Sequence, residues 1–389
     1  MATSETLDLT PAERLASLSA VIAASFGVGV SFGVGYPLTA LTLENWGEEK
    51  WVIGLAGAAP AIATILVLPF APRFLSRLGP VAAITIGGLL ASLGFLALGW
   101  ATTAPVWIAV RLIMSAGIAV PWLVGETWIN LVAREETRGR VIAIYAIAFF
   151  SGFAMGPVAL GWLGFEGWPP IVFGALGSAL AGVPILLARR LAPDVATCHS
   201  RSALSAIRMA PVAMVGAFIG GFAEITYLSL IPNVGIAGGL SESDALQLLS
   251  AITIGGLLGQ LPIGALADRV SRISILYGLA VAFIILSLIL PAMLSDPMLA
   301  RSAAFLIGAV ILGFYTVGLV IIGERIAADD LAAANAGFIV SYQTGATLGP
   351  IAAGAAMTAS PVTGFVVTVI ALMLGSLAAL VALRWQPGA

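Results

Sequence analysis

Twelve apolar runs, each about as long as an α-helix needs to cross a hydrocarbon core, follow one another through this chain of 389 residues. They fall near 16–38, 51–71, 80–101, 105–130, 139–163, 169–190, 209–234, 244–265, 272–293, 300–323, 333–357 and 362–384. Lipid offers a backbone amide no partner, so a segment lying in it must close its own hydrogen bonds as a helix or a closed barrel. The alternation of barrel strands is absent, which leaves helices. Composition agrees: mean hydropathy is +1.07 and only 9 % of residues are charged, where a soluble domain carries about a quarter. The 45 glycines suit helices that approach one another closely. The chain reads as an all-α membrane protein with 12 transmembrane helices.

Several chemistries drop out at once. A net charge of -2 points away from nucleic acid. The single cysteine, Cys198, and the single histidine, His199, are neighbours in a polar stretch, so no metal cluster and no histidine catalysis in the apolar body is expected. No Gly run, "GQLPIG" included, matches a phosphate loop. No cofactor and no enzymatic activity are expected. The start "MATSETLDLTPAER" lacks the basic opening of a signal peptide, so the N-terminus is expected to stay.

Basic residues set the orientation. Arg73 and Arg77 follow span two, Arg134, Arg138 and Arg140 follow span four, and Arg269 and Arg272 follow span eight, all on one side of a twelve-span layout. Lys50 and Arg301 fall opposite, and Arg111 lies inside a span. The positive-inside rule then makes both termini cytoplasmic. Trp46, Trp51, Trp100, Trp107, Trp162 and Trp168 flank spans on the other side, as an interfacial belt would.

Internal similarity divides the chain. Span five carries "GFAMGPVALG" (Gly152, Gly156, Pro157, Gly161) and span eleven "GATLGPIAAG" (Gly345, Gly349, Pro350, Gly354), 193 positions apart. "VGE" ending at Glu126 answers "IGE" ending at Glu324, and the basic loops at Arg77 and Arg269 are 192 apart. Two pseudo-symmetric six-helix halves follow, 1–191 and 209–389, with 192–208 as a cytoplasmic linker.

These motifs resemble the major facilitator superfamily. "GALADRVSR" is similar to its loop signature, with Gly264, Asp268, Arg269 and Arg272 in place and Ser271 for a glycine. The copy after span two is degraded, with Pro72 and Ser76 at two signature positions and Arg77 and Gly79 kept. "RLIMSAG" in span four keeps Arg111 and Gly117 of a further family motif. "GFAMGPVALG" is similar to the span-five motif associated with the family's exporters. The resemblance implies the two-half fold, with spans one, four, seven and ten lining a central cavity.

Candidate residues follow. Arg111 and Glu224 come from opposite halves at comparable depth, ~9 Å and ~15 Å below the outer ends of their spans, and neither has a twin. A lone carboxylate facing a partly dry cavity favours its neutral form, as a proton carrier requires; a permanent Arg111–Glu224 bridge is the alternative. Ser115 and Trp122 share a stripe with Arg111, and Tyr227 follows Glu224 by three residues. Tyr36, Tyr315 and Gln343 are further candidates for the cavity wall, with helix packing as the rival role. Glu126, ~22 Å beyond Arg111, and Glu324 lie near basic loops. With Arg77 on one side, and Gly264, Asp268, Arg269 and Arg272 on the other, the resemblance implies a cytoplasmic latch. A functional carboxylate, or one reaching water, is the other reading. Pro157 and Pro350 remove a backbone donor and let their helices bend beside glycines.

The expectation is a proton-coupled secondary transporter of the cell membrane, working as a monomer, that exports an amphipathic small molecule. Proton-coupled uptake of a small, anionic metabolite is the runner-up, and a non-transporting polytopic protein the distant rival.

Overall fold

In a computed structural model the described residues are 9–134, 137–193, 210–267, 269–326 and 331–384. They form twelve α-helices: α1 Pro11–Asn45, α2 Lys50–Val67, α3 Ala71–Leu98, α4 Ala104–Val132, α5 Arg138–Leu163, α6 Trp168–Leu187, α7 Pro211–Ala237, α8 Glu242–Ala267, α9 Arg272–Met293, α10 Pro297–Arg325, α11 Leu331–Ala359 and α12 Pro361–Arg384. Eleven have the length and hydropathy to cross a membrane. The remaining one, α11, is diluted by Ser341, Tyr342, Gln343, Thr344 and Thr347. The protein is a multi-pass membrane protein.

Helix ends follow local chemistry. Thr10 and Glu13 cap α1 reciprocally: each backbone N–H donates to the other's side chain, at 2.9 and 3.3 Å, a capping box. Asp296 accepts from the N–H groups of Met298 and Leu299 ahead of α10, with Pro297 at the first helical position, where a missing N–H costs nothing. Within α3, Gly79 takes φ 71° and ψ 166°. That left-handed backbone suits glycine, and with Pro80 it separates a short N-terminal helical segment from the spanning one, which explains why the apolar run begins at 80.

The chain forms two compact units, one of residues 1–35 with 63–198 and the other of 36–62 with 199–389. The expected linker, 192–208, lies mostly outside the described residues. In the first unit a core of Leu18, Val21, Ile84, Val124, Trp128 and Ile185 is tied by polar groups. Trp128 Nε1 donates to Ser17 Oγ at 2.9 Å, and Ser17 donates to the Leu191 carbonyl at 3.0 Å. Burying a polar group costs stability unless it is paired, and here α1, α4 and the end of the α6 segment supply one another's partners. Of the tryptophans expected at an interface, Trp107 departs: it is 2 % exposed, whereas Trp100 and Trp162 are 70 % and 86 % exposed. Trp107 stands one turn before Arg111 on a face of α4 that continues through Met114, Ser115 and Ile118, all buried, so helical phase takes it inward.

The second unit comprises α7–α12 and the α1–α2 hairpin over residues 36–62. Its centre is α7, where every residue from Ile219 to Gly235 is buried except Glu224.

Candidate functional site

The exception in α7 marks the site. Glu224 is partly exposed in the middle of an otherwise buried stretch of α7. Across from it on α11, Tyr342 donates its hydroxyl to Glu224 Oε2 at 2.7 Å. A hydrogen bond to an ionised acceptor is among the stronger kinds. The Tyr342 ring meets Tyr315 of α10 edge-on at 5.6 Å, and Tyr315 meets Phe338 at 5.2 Å, the arrangement aromatic quadrupoles favour. Tyr36 of α1 and Tyr315 lie close enough to the Tyr342 hydroxyl to act on it electrostatically. One carboxylate and three phenols thus share one region of the second unit, with Gln343 buried beside Tyr342.

Close backbone packing makes this possible. A methyl group at Gly221 would collide with the Tyr342 carbonyl, and one at Gly345 with that of Phe218. Glycine at both positions lets α7 and α11 come close enough for a short phenol–carboxylate bond.

Tyr227 does not join the site. It is fully buried, pairs its hydroxyl with Ser287 at 2.9 Å, and packs edge-on against Phe283 and Phe365 at 5.7 and 4.9 Å. It serves packing on the α9 and α12 side. Tyr342, the residue that bonds Glu224, was missed, although it adjoins Gln343 and precedes the Gly345 motif; a helix advances about 100° per residue, enough to turn one neighbour toward α7 in place of the other.

In the first unit Arg111 is 1 % exposed, with its guanidinium against the α1 backbone where a methyl at Gly35 would overlap Nη1. Ser115, one turn on, is buried, and its hydroxyl has no hydrogen-bond partner among the described residues. Trp122 leaves that group: it hydrogen-bonds to Glu126, one turn further along α4.

The two repeated glutamates differ in partner. Arg272 reaches Glu324 Oε1 from Nε at 3.1 Å, while Arg269 and Arg77 are exposed. Gly264 lies where a methyl would meet nothing, and Asp268 lies outside the described residues. The Gly-Pro motifs work in packing: Gly152 and Gly156 lie against Phe26 and Gly33 of α1, Gly349 against Phe222 and Thr226, and Gly354 against Lys50 and Gly54, while Gly161 faces open space. Pro157 and Pro350 lie inside α5 and α11. Among the described residues no His, Cys, Asp and Glu cluster could hold a metal ion.

Comparison with known proteins places this geometry. The family model for the Major Facilitator Superfamily matches residues 21–315. The uncharacterised MFS-type transporter YfkF of Bacillus subtilis is 24 % identical over 84 % of this chain and 85 % of its own. The uncharacterised MFS-type transporter YcaD of Salmonella heidelberg is 26 % identical over 80 % of this chain and 81 % of its own. Among solved structures, a bacterial homologue of the human lysosomal transporter Spinster, inward-facing and unoccupied, superposes with a TM-score of 0.75 at 15 % identity, over 98 % of this chain and all of that one. A D-xylose-proton symporter gives 0.71 at 15 % identity, over 97 % of this chain and 98 % of its own. With twelve helices, the repeated Gly-Pro crossings and a match across most of its length, the chain belongs to the Major Facilitator Superfamily.

Proposed function

We propose that this chain is a secondary transporter of the cell membrane, with both termini cytoplasmic, that works as a monomer by alternating access and exports an amphipathic, cationic small molecule in exchange for protons. The observation that carries this reading is the half-open Glu224 bonded to Tyr342 within a group of tyrosines. An ionised Glu224 accepts from the phenol; a protonated one offers a hydrogen of its own, so the side chain can hold a proton at that oxygen without being left unpartnered. Aromatic faces around one acid suit an organic cation through charge and cation–π attraction. Among the described residues no Lys or Arg forms an ion pair with Glu224, so its charge is not already matched by the protein.

A second reading, proton-coupled uptake of an anionic metabolite, draws on Arg111, always charged and buried against Gly35. Arg77, Glu126, Arg269, Arg272 and Glu324 would form the cytoplasmic latch in either case.

The test is proton flux in proteoliposomes carrying a pH gradient, read with a pH dye as lipophilic cations or small organic acids are added. Collapse with cations in wild type but not in Glu224→Gln is the expected result. Collapse with acids alone moves the function to Arg111-centred anion transport. Equal cation-driven collapse in Glu224→Gln removes that residue as the coupling site.

A further inference from the structure

Helices α8 and α10 cross on glycine. A methyl at Gly255 would collide with the Phe305 carbonyl, one at Gly308 with that of Ile252, and one at Gly259 with Ala309. Close backbone contact of this kind holds a crossing without help from polar side chains. Yet just past it the two helices meet through Gln260 and Thr316. The Thr316 hydroxyl donates to Gln260 Oε1, with the Leu312 carbonyl at 3.2 Å as its other acceptor. In the first half the corresponding positions are Leu68, 192 residues earlier, and Ile118, 198 residues earlier. These are the offsets that relate Arg77 to Arg269 and Glu126 to Glu324. The repeat therefore carries apolar side chains at both places, and a primary amide in a membrane helix is costly.

The direction of that amide says more. Gln260 stands off the exposed row of α8, which is Ile254, Leu258 and Leu261; at about 100° per residue it points roughly 100° or more away from each. With its oxygen engaged by Thr316, the amide keeps both hydrogens of Nε2 as donors. Among the described residues that nitrogen makes no hydrogen bond. On α10, Tyr315 and Thr316 are the partly exposed pair in a stretch, 311–318, that is otherwise buried. Thr316 thus continues the group already described, since Tyr315 meets Tyr342 edge-on and Tyr342 donates to Glu224. All of these residues belong to the second unit. The acid lies at one end of the group and the amide donor at the other.

We propose that Gln260, fixed by Thr316, is a second anchor for the transported molecule and donates from Nε2 to an acceptor oxygen, a carbonyl or an ether, on the same organic cation whose charge lies at Glu224. The inference rests on the cation reading above and deepens it: the substrate carries a polar oxygen at a distance from its charge. Thr316 is a positioning residue, because it acts through Gln260. By donating to the amide oxygen it turns the NH2 end outward, so acceptors are recognised there and donors are not.

The experiment reads binding rather than flux. Phenylalkyl-trimethylammonium ions of graded chain length are compared with their phenyl ketone counterparts, in which the methylene next to the ring is a carbonyl. Each is titrated into full-length protein in detergent, and the rise in melting temperature gives a half-saturating concentration. In wild type the ketone is expected to bind about fivefold more tightly than its partner at the best length, as one neutral hydrogen bond supports. Gln260→Met should bring that ratio close to one. Thr316→Val should lower it, and Thr316→Ser, which keeps the hydroxyl, should hold the wild-type value. Should Gln260→Met not fold, the Thr316 pair still decides. A ratio near one at every length in wild type overturns the inference. So does a wild-type ratio in Gln260→Met, which would leave the amide as a tie between helices, and so do equal ratios in both Thr316 variants. Failure of the cation reading looks different: neither series raises the melting temperature, or Glu224→Gln binds both as tightly as wild type, and the inference falls with it.

Discussion

The same helix crossing occurs twice in this molecule with different side chains in it. In the first unit α1 meets α5 with Gly29 against the Phe149 carbonyl and Gly152 against that of Phe26. In the second, α7 meets α11 with Gly221 against the Tyr342 carbonyl and Gly345 against that of Phe218. Each position in one crossing lies 192 or 193 residues from its counterpart in the other. By that offset Phe32 and Phe149 correspond to Glu224 and Tyr342. Phe32 and Phe149 meet edge-on at 6.3 Å, where Glu224 and Tyr342 make a 2.7 Å hydrogen bond. The backbone arrangement therefore does not require an acid. An aromatic pair fills the crossing well, and a carboxylate in a membrane helix costs roughly 2.5–3.5 kcal/mol on insertion scales. A residue that is costly and not needed for packing is explained by chemistry.

The strongest way to break that comparison is Glu224→Gln, which keeps shape and removes the titrating group. Uphill transport should be lost entirely, with membrane expression and thermal melting unchanged; persistence of full uphill transport would falsify the assignment. Next comes Tyr342→Phe, which makes the second crossing resemble the first. A hydrogen bond to a charged group is worth about 1.5–3 kcal/mol, so transport should slow on the order of tenfold and its pH profile should move. Phe149→Tyr, the reciprocal change, should leave both rate and profile as they are. A rate loss in Phe149→Tyr matching that in Tyr342→Phe would mean that both crossings tolerate only their own ring, with no special role for the phenol.

Glycine substitutions sharpen the same contrast at smaller cost. Gly29→Ala and Gly221→Ala each push a methyl into a facing carbonyl, an overpacking that destabilises by about 1–3 kcal/mol. Both should melt earlier to a similar extent in detergent. Transport per folded molecule should fall further in Gly221→Ala, because separating α7 from α11 stretches the Glu224–Tyr342 bond. If the two variants lose transport equally once corrected for folded protein, the second crossing is not functionally special.

How much of this was legible in the sequence depends on range. The spans were readable because polar and helix-breaking residues punctuate them, as the helix breakers Gly79 and Pro80 do at the start of the third. The two halves were readable because Gly-Pro spacing survives in both. Glu224 stood out as an acid among apolar neighbours, and Tyr36 and Tyr315 lie near the Tyr342 that bonds it. Its direct partner did not stand out, since choosing Tyr342 over Gln343 needs the rotation of α11, which only its packing on Gly221 sets. Tyr227 was drawn into the site by spacing alone, whereas Ser287, Phe283 and Phe365 hold it on the other side. The Glu44–Asn233 bond joins residues 189 positions apart that no motif connects.

The repeated glutamates offer a second comparison and the smallest predicted effect. Glu126 is hydrogen-bonded by Trp122 within its own helix, while Glu324 is ion-paired to Arg272 from another, with side chains 48 % and 24 % exposed. Exposed pairs of this kind contribute about 0.2–1 kcal/mol, and salt weakens them, since the Debye length falls from about 10 Å at 0.1 M to about 3 Å at 1 M. Arg272→Ala should therefore lower the melting temperature slightly at low salt and hardly at all in 1 M salt. Trp122→Phe removes an uncharged donor, so its effect should not depend on salt. If the pair acts as a latch, Arg272→Ala should also raise cysteine-labelling rates on the cytoplasmic side by a few-fold, an outcome that high salt alone should reproduce in the wild type. An unchanged labelling rate in both conditions would leave the Arg272–Glu324 bond as a surface contact, and would place control of that side with the buried Trp128–Ser17–Leu191 chain instead.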